Sequence, residues 1–483
     1  MARLIASRKF TNILVFILLV AIGTSVLRIN LPDASLNPVT IYHHRAGQGK
    51  LDPDYWEWET TTRFVPQKKK PVISHAIPFL DAGEDPLCDS FPTYLLSRIQ
   101  VVLKIGTSEP ADRVDTQLAT VTRCIPNLLV VSDREGELHG HRVHDILATL
   151  PESFRFNTSD FEAYDALQRG GTTAVESAQG WRLDRFKFLP MVERAYETNP
   201  TAQWYVFLES DTYYVWDNLF RLLDQYDPSE QLYFGSPSPG RSINDDGEKM
   251  YFAYGGAGFV LSGAAVKKLV SRHHGSLGQY VEPSLSLQYE QMVKDDCCGD
   301  SVLGWALYEK GIKLSGLWPM FNPHPLHGIP FDNAYWCQPV ISMHKTLLSD
   351  MTALIKWENQ RDRKTPLLYA DLFEFQKLGT FDTKAEWDNG DWGGFREPDD
   401  SPAHTSMDAC RIACHKHTEC LSYTYDDIGN CIFVPTIRLG HSTPATKEVR
   451  LSAGWDVEKI QDWRASHQCE RPMWVKPSLT RIF

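Results

Sequence analysis

Trp204-Tyr-Val-Phe-Leu-Glu-Ser-Asp-Thr-Tyr-Tyr-Val-Trp-Asp-Asn-Leu-Phe220 is the stretch whose reading decides the fold. Its first five residues are bulky and apolar, rich in Val and aromatics, which is the composition of a strand buried on both faces. The strand then ends in acid. Glu209 and Asp211 lie two positions apart, and a bend there would turn their oxygens toward one site. Hard carboxylate oxygens suit Mg²⁺ or Mn²⁺. A solvated turn is the plain alternative for an acid-x-acid triplet. Context favours a site, because Asp217-Asn-Leu-Phe220 opens an amphipathic helix and leaves the acids at a strand's carboxyl end, where open α/β sheets bind ligands.

Upstream, Ile99-Gln-Val-Val-Leu-Lys-Ile-Gly106 reads as a strand ending in a Gly106-Thr-Ser108 turn, and Asn127-Leu-Leu-Val-Val-Ser-Asp133 as a second buried strand that also ends in an acid. Residues 113–123 between them have helical spacing. Strand, helix, strand begins a nucleotide-binding α/β unit. Asp133 has the alternative of capping the following turn. Cys88 and Cys124 flank this unit and are expected to pair. Asn157-Thr-Ser159 is an N-glycosylation acceptor. Residues 181–196 read as a helix leading into the central strand, with Arg185 and Lys187 on a solvated face or, alternatively, meeting phosphate.

Downstream, Tyr251-Phe-Ala-Tyr-Gly-Gly-Ala-Gly-Phe-Val-Leu-Ser262 has three glycines in four positions, so main chain can pass close to something bulky. It lacks the Walker lysine and the Rossmann spacing, which excludes a phosphate loop. Lys294-Asp-Asp-Cys-Cys-Gly-Asp-Ser-Val-Leu-Gly304 places acids at a helix start, where a carboxylate is also favoured as a cap. Histidines follow in Trp318-Pro-Met-Phe-Asn-Pro-His-Pro-Leu-His327 and Tyr335-Trp-Cys-Gln-Pro-Val-Ile-Ser-Met-His344. Trp336 is expected to stack on a sugar ring, since flat aromatic faces suit C–H-rich surfaces.

These motifs resemble glycosyltransferase family 31, the fringe and core 1 β1,3-galactosyltransferase group, over residues 85–350. Leu208-Glu-Ser-Asp-Thr-Tyr213 is similar to that family's metal-binding Asp-Asp-Asp-Thr-Tyr, with Glu209 and Ser210 in place of the first two aspartates. Gly255-Gly-Ala-Gly-Phe259 resembles the segment that floors the donor-sugar and acceptor site, which makes Gly255 and Gly256 binding candidates. The resemblance implies a GT-A fold, a Rossmann-like mixed α/β sheet flanked by helices, with Lys104, Thr107 and Asp133 contacting the uridine of a UDP-sugar. Ser342-Met-His344 looks like the family's Ser-Phe-His, whose His completes the metal shell. The implied ligands are therefore Glu209, Asp211 and His344, with His324 and His327 as substitutes, and imidazole beside carboxylates favours Mn²⁺. Inversion at the sugar carbon needs a base to take the acceptor hydroxyl's proton, and alignment points to Asp296, with Asp295 as the neighbour that could exchange roles with it.

Length and composition bound the rest. At 483 residues, two or three domains are expected, and 42% hydrophobic residues with 14 Trp, 19 Tyr and 23 Phe describe a globular chain. A net charge of −12, with only Lys68-Lys-Lys70 as a basic cluster, argues against nucleic acid. The uncharged run 11–27 would span about 26 Å as a helix, and Arg3, Arg8 and Lys9 precede it. The positive-inside rule then predicts a single-pass type II anchor in the Golgi or ER membrane with the body in the lumen. A cleaved signal peptide is the alternative.

The expected organisation is tail and anchor 1–28, stem 29–75, catalytic domain 76–371, an acidic Gly-rich connector 372–400, and a cysteine-rich module with tail 401–483. Ser406-Met-Asp-Ala-Cys-Arg-Ile-Ala-Cys-His-Lys-His-Thr-Glu-Cys420, with Gly429-Asn-Cys431, resembles a PAN/apple-like domain of the kind that follows fungal-type members. That resemblance implies Cys410–Cys431 and Cys414–Cys420 bridges. Of the other cysteines, one of Cys297 and Cys298 is expected to bond Cys337, and Cys469 stays unassigned. The expected activity is transfer of a hexose, galactose in β1,3 linkage above all, from UDP-sugar to a glycan or glycoprotein. The alternative is a catalytically weak lumenal partner that binds glycan or protein.

Overall fold

The computed structural model describes residues 88, 91–156, 158–170, 177–479 and 481, together with the two-residue strand Tyr55–Trp56. All of these fall within one compact unit, 46–483. The predicted anchor, most of the stem, Lys68–Lys70 and the acceptor asparagine Asn157 lie outside the described residues. Among the described residues, no helix is long and apolar enough to cross a membrane.

The core is an eight-stranded mixed sheet. Its strands are β1 (Ile99–Lys104), β2 (Leu129–Ser132), β3 (Gly136–Leu138), β4 (His141–Asp145), β5 (Trp204–Glu209), β6 (Tyr233–Gly235), β7 (Phe259–Ser262) and β8 (Ser315–Gly316), in the spatial order β8-β6-β7-β5-β1-β2-β4-β3. β1 is parallel to both β2 and β5, whereas β7 runs antiparallel between β5 and β6.

Alternation of side chains between two buried faces explains why β1 and β5 are largely apolar up to their ends. Val101, Leu103, Val206 and Leu208 join one core, and Val102, Tyr205 and Phe207 join a second on the opposite face. The first core takes helices α1 (Ala111–Ala119) and α3 (Trp216–Leu223), and the second takes α2 (Phe188–Thr198) and α4 (Gly299–Glu309).

Residues 372–400 do not form the expected free connector. They carry the end of helix Tyr369–Phe375 and the strands Thr383–Ala385, Trp387–Asp388 and Phe395–Arg396. The first and last of these strands are the two edges of a five-stranded sheet with Ser422–Asp426, Asn430–Val434 and Leu451–Trp455. Ile437, Trp455, Ile460 and Trp474 belong to the same core as α1 and α3. The C-terminal region therefore shares the large sheet's core through these residues, while Cys410, Cys414, Cys420, Tyr423, Cys431 and Phe433 close a small core of its own.

Five disulfides close the chain. Cys88–Cys124, Cys410–Cys431 and Cys414–Cys420 form as expected. The expected bond from the vicinal pair to Cys337 does not form, for Cys297 bonds Cys298 and Cys337 bonds Cys469. Helix Val457–Ser466 docks Ile460 and Trp463 on the core and so carries Cys469 to Cys337.

Candidate active site

The acids at the end of β5 are organised by Thr212. Its buried hydroxyl accepts the Glu209 N–H at 3.1 Å and donates to the Gly256 carbonyl at 2.8 Å, which closes a turn in which Ser210 is buried against Glu109 and Asp211 stays partly exposed. Strand Tyr213–Tyr214 then pairs antiparallel with Ser342–Met343, in register Met343 to Tyr213, so the residue after one strand faces the residues before the other. The Thr346 N–H donates to the Asp211 carbonyl at 3.0 Å, and His344 Nε2 lies 3.5 Å from Asp211 Oδ1. Glu209, Asp211 and His344 can each present a ligand atom with all three within 4.8 Å of one another.

This set fits a divalent ion. Asp211 Oδ1 is buried without a hydrogen-bond partner, as a ligand oxygen would be, and the mixture of two carboxylates and an imidazole suits Mn²⁺. Tyr254 Oη lies 3.4 Å from His344 Nδ1, so a proton on Nδ1 leaves the Nε2 lone pair turned to Asp211.

The glycine turn is shaped by these groups. A Cβ on Gly256 would collide with the His344 ring, and one on Gly255 would come within 2.8 Å of Phe188. Gly258, at φ +73°, occupies the left-handed region and clears Tyr214. The close approach expected of Gly255 and Gly256 is thus to the protein's own side chains. Gly256→Ala is expected to displace His344 and weaken Mn²⁺ binding by about 10–100-fold, the usual cost of disturbing a group that orients a ligand. Titration of the purified protein with Mn²⁺ by electron paramagnetic resonance measures this, and wild-type affinity in the variant would refute it.

Lys104, Thr107 and Asp133, the expected uridine contacts, are engaged with the protein's own groups. Lys104 pairs with Glu209 in the sheet register, and its ammonium, 3% exposed, lies 3.2 Å from Glu209 Oε1 and also bonds Asp184. Burial works against its charge, but Asp184 and Glu209 outweigh that and hold its pKa above the usual lysine value. Asp133, fully buried, accepts the Thr107 N–H at 2.8 Å and lies 2.9 Å from Lys187 Nζ. Burial would raise its pKa, yet Lys187 and Thr107 leave it lowered. These residues brace the carboxyl edge of the sheet.

Lys187 and Arg185 correct the reading of a solvated helix face. Lys187 is fully buried between Asp133 and Asp184, and Arg185 donates to the Asp296 carbonyl at 2.8 Å and pairs with Asp160. Asp184 escaped notice in the sequence, although its i, i+3 spacing to Lys187 ahead of an apolar run was the available signal.

The acids after Lys294 also fall differently. The helix expected to open at Asp295 and Asp296 opens at Gly299, because Asp296 and Cys298 are extended. Asp295 is exposed and accepts from Gln291. Asp296 is held by the Arg241 guanidinium at 2.8 Å and lies 3.3 Å from Ser301 Oγ. Asp300, in the first turn of α4, accepts the Gly255 N–H at 2.8 Å and so sits on the glycine turn that backs His344. Burial first, and then the Glu209 charge, push its carboxyl up to about 6. A carboxyl with that value beside a candidate metal site has the properties of a general base, and sequence reading missed it.

Trp336 is not a sugar platform. Its ring is buried against Phe373 and Trp463, at 5.1 and 4.7 Å between centres, and its N–H donates to the His467 carbonyl. His327 lies by Asp350 and His441, whereas His324 lies against Trp392.

Residues 135–316, less than half of the chain, match a family model described as Fringe-like. The match includes Glu209, Asp211, the glycine turn, Asp296 and Asp300, and it supports a glycosyltransferase family. A solved glycosyltransferase involved in the glycosylation of the major capsid of PBCV-1 is 14% identical and covers 53% of this chain and 99% of its own, with a TM-score of 0.25.

Proposed function

We propose that this chain transfers a hexose from a UDP-sugar to a glycan or glycoprotein acceptor, with inversion at the sugar carbon and with Mn²⁺. One observation carries the proposal: Glu209, Asp211 and His344 converge at the carboxyl end of β5, and Asp300 is held on the glycine turn behind them. Galactose in β1,3 linkage is the outcome suggested by the resemblance of the motifs. The basic residues before the apolar run 11–27 support a type II anchor in the Golgi or ER membrane with a lumenal catalytic domain 76–371. The paired cysteines at 410–431 support a PAN/apple-like module.

In this mechanism Asp300, rather than Asp296, accepts the acceptor hydroxyl's proton. As that oxygen bonds the sugar carbon, the carbon's bond to the diphosphate oxygen breaks and its electron pair leaves with UDP. The Gly255 N–H fixes the Asp300 carboxylate, and the Lys104 ammonium, 3.2 Å from Glu209 Oε1, orients that carboxylate at the strand end. A manganese ion on Glu209, Asp211 and His344 would offset the charge gathering on the departing diphosphate.

The test is UDP release by the purified protein from a panel of UDP-hexoses, with chelator and with added Mn²⁺. Turnover abolished by chelator and restored by Mn²⁺ is the expected result. Glycan binding with no turnover on any UDP-hexose would instead favour the catalytically weak binding partner.

A further inference from the structure

Trp392 lies in the loop just before strand Phe395–Arg396, and 41% of its surface is exposed. Its loop is clamped. Arg438, only 4% exposed, donates to the carbonyls of Gly390 at 3.3 Å and Trp392 at 2.9 Å, and its guanidinium lies 3.8 Å from the centre of the indole ring. Arg438 Nε is buried without a hydrogen-bond partner. Gly390, at φ +74°, is the residue that clears the indole N–H, which a Cβ there would strike. A partly exposed indole is thus held in place by a buried cation that covers one face of its ring.

His324 lies beside the indole, its ring tilted 35° to it. Its ring centre lies 5.0 Å from that of the indole, and its backbone N–H donates at 2.9 Å to the Asn322 side-chain oxygen, while the Asn322 backbone carbonyl accepts the His344 backbone N–H at 3.2 Å. Asn322 also pairs with Met343 in register, so His324 and His344 follow neighbouring strands on one edge. Arg481, near the end of the chain, reaches the same edge and lies 5.6 Å from the centre of the Tyr254 ring. Burial first, then the charges of Arg438 and Arg481, hold His324 down to about 4. At neutral pH its imidazole is uncharged, with one N–H donor and one acceptor nitrogen.

We propose that Trp392 and His324 form the acceptor subsite, in which a pyranose lays its C–H face on the indole and bonds a hydroxyl to the imidazole. A flat apolar face beside a neutral donor and acceptor matches the two-sided chemistry of a sugar ring, apolar on the ring face and polar at the rim. The C-terminal region would then select the acceptor while the large sheet holds the donor. The proposal deepens the transferase reading and rests on it for naming the sugar an acceptor.

Saturation-transfer NMR on the full chain with methyl β-galactoside, methyl β-glucoside, methyl α-mannoside and methyl N-acetyl-α-galactosaminide tests this, with UDP and Mn²⁺ measured in parallel. Trp392→Ala is expected to cut the signal of the preferred glycoside at least fivefold, Trp392→Phe to restore part of it, and the UDP signal to stay. Should Trp392→Ala fold poorly, as a lost UDP signal would show, His324→Gln is expected to weaken the same glycoside with UDP unaffected. Equal glycoside signals in wild type and variants, or no signal for any glycoside, would overturn the subsite. So would a loss of UDP binding in Trp392→Phe, which would mark the indole as a base-stacking residue. A Trp392-dependent glycoside signal without turnover on any UDP-hexose would sink the transferase reading and leave the sugar site standing.

Discussion

Replacing Asp300 by Asn is expected to lower kcat by about 10²–10⁴-fold with UDP binding preserved, since a positioned general base contributes that much. Asp300 is bonded to the Gly255 N–H on the turn against which His344 packs. Its carboxyl stands at about 6, chiefly through burial. A base works deprotonated, so kcat/KM is expected to fall about tenfold per pH unit below 6 and to flatten above it. Asp296→Asn provides the contrast. That carboxylate is committed to Arg241, so its loss should appear as lower stability with kcat largely kept. If Asp296→Asn abolishes turnover and Asp300→Asn does not, the assignment of the base is reversed.

Lys187→Met is expected to destabilise the fold by about 3–5 kcal/mol, the cost of leaving a buried charge without its partner. Lys187 and Asp133 are both fully buried at 2.9 Å, and Lys187 also lies 3.0 Å from Asp184. Burial opposes the lysine charge, yet Asp133 and Asp184 hold its pKa above the ordinary value. Burial likewise opposes the Asp184 charge, and Lys104 and Lys187 keep its carboxyl well below the usual range. With depressed values, these carboxylates contribute stability that is present above their unfolded pKa and lost as pH falls through the folded one. Without Lys187, Asp133 would favour its protonated form, so the gap between variant and wild type should narrow as pH is lowered. Denaturant unfolding at several pH values measures this, and a gap that widens toward acid would contradict it.

The edge that these ions brace shows what was legible and what was not. The apolar runs of β1 and β5 announce doubly buried strands, and the acids after β5 announce a site, because strand burial and a strand's end are written in a few neighbouring residues. Glu209, Asp211 and His344 were readable through motif resemblance, and the structure does bring them together. Lys104 and Asp133 looked like ligand contacts for the same reason of place, yet their charges are spent on Asp184 and Lys187. Nothing local distinguishes a lysine that waits for a phosphate from one already paired inside the fold.

By itself, the sequence determined the buried strands, the acid-ended turn, the glycine positions and three of the five bridges. Only the tertiary structure decided that the helix after the vicinal cysteines begins late enough to make Asp300 the acid on the glycine turn. It also decided that Trp336 is core while Trp392 is partly exposed, and that residues 372–400 carry three short strands. The physical reason is range: apolar pattern and turn chemistry act over a few residues, whereas the partner of a charge or the exposure of a ring depends on packing between segments far apart in the chain.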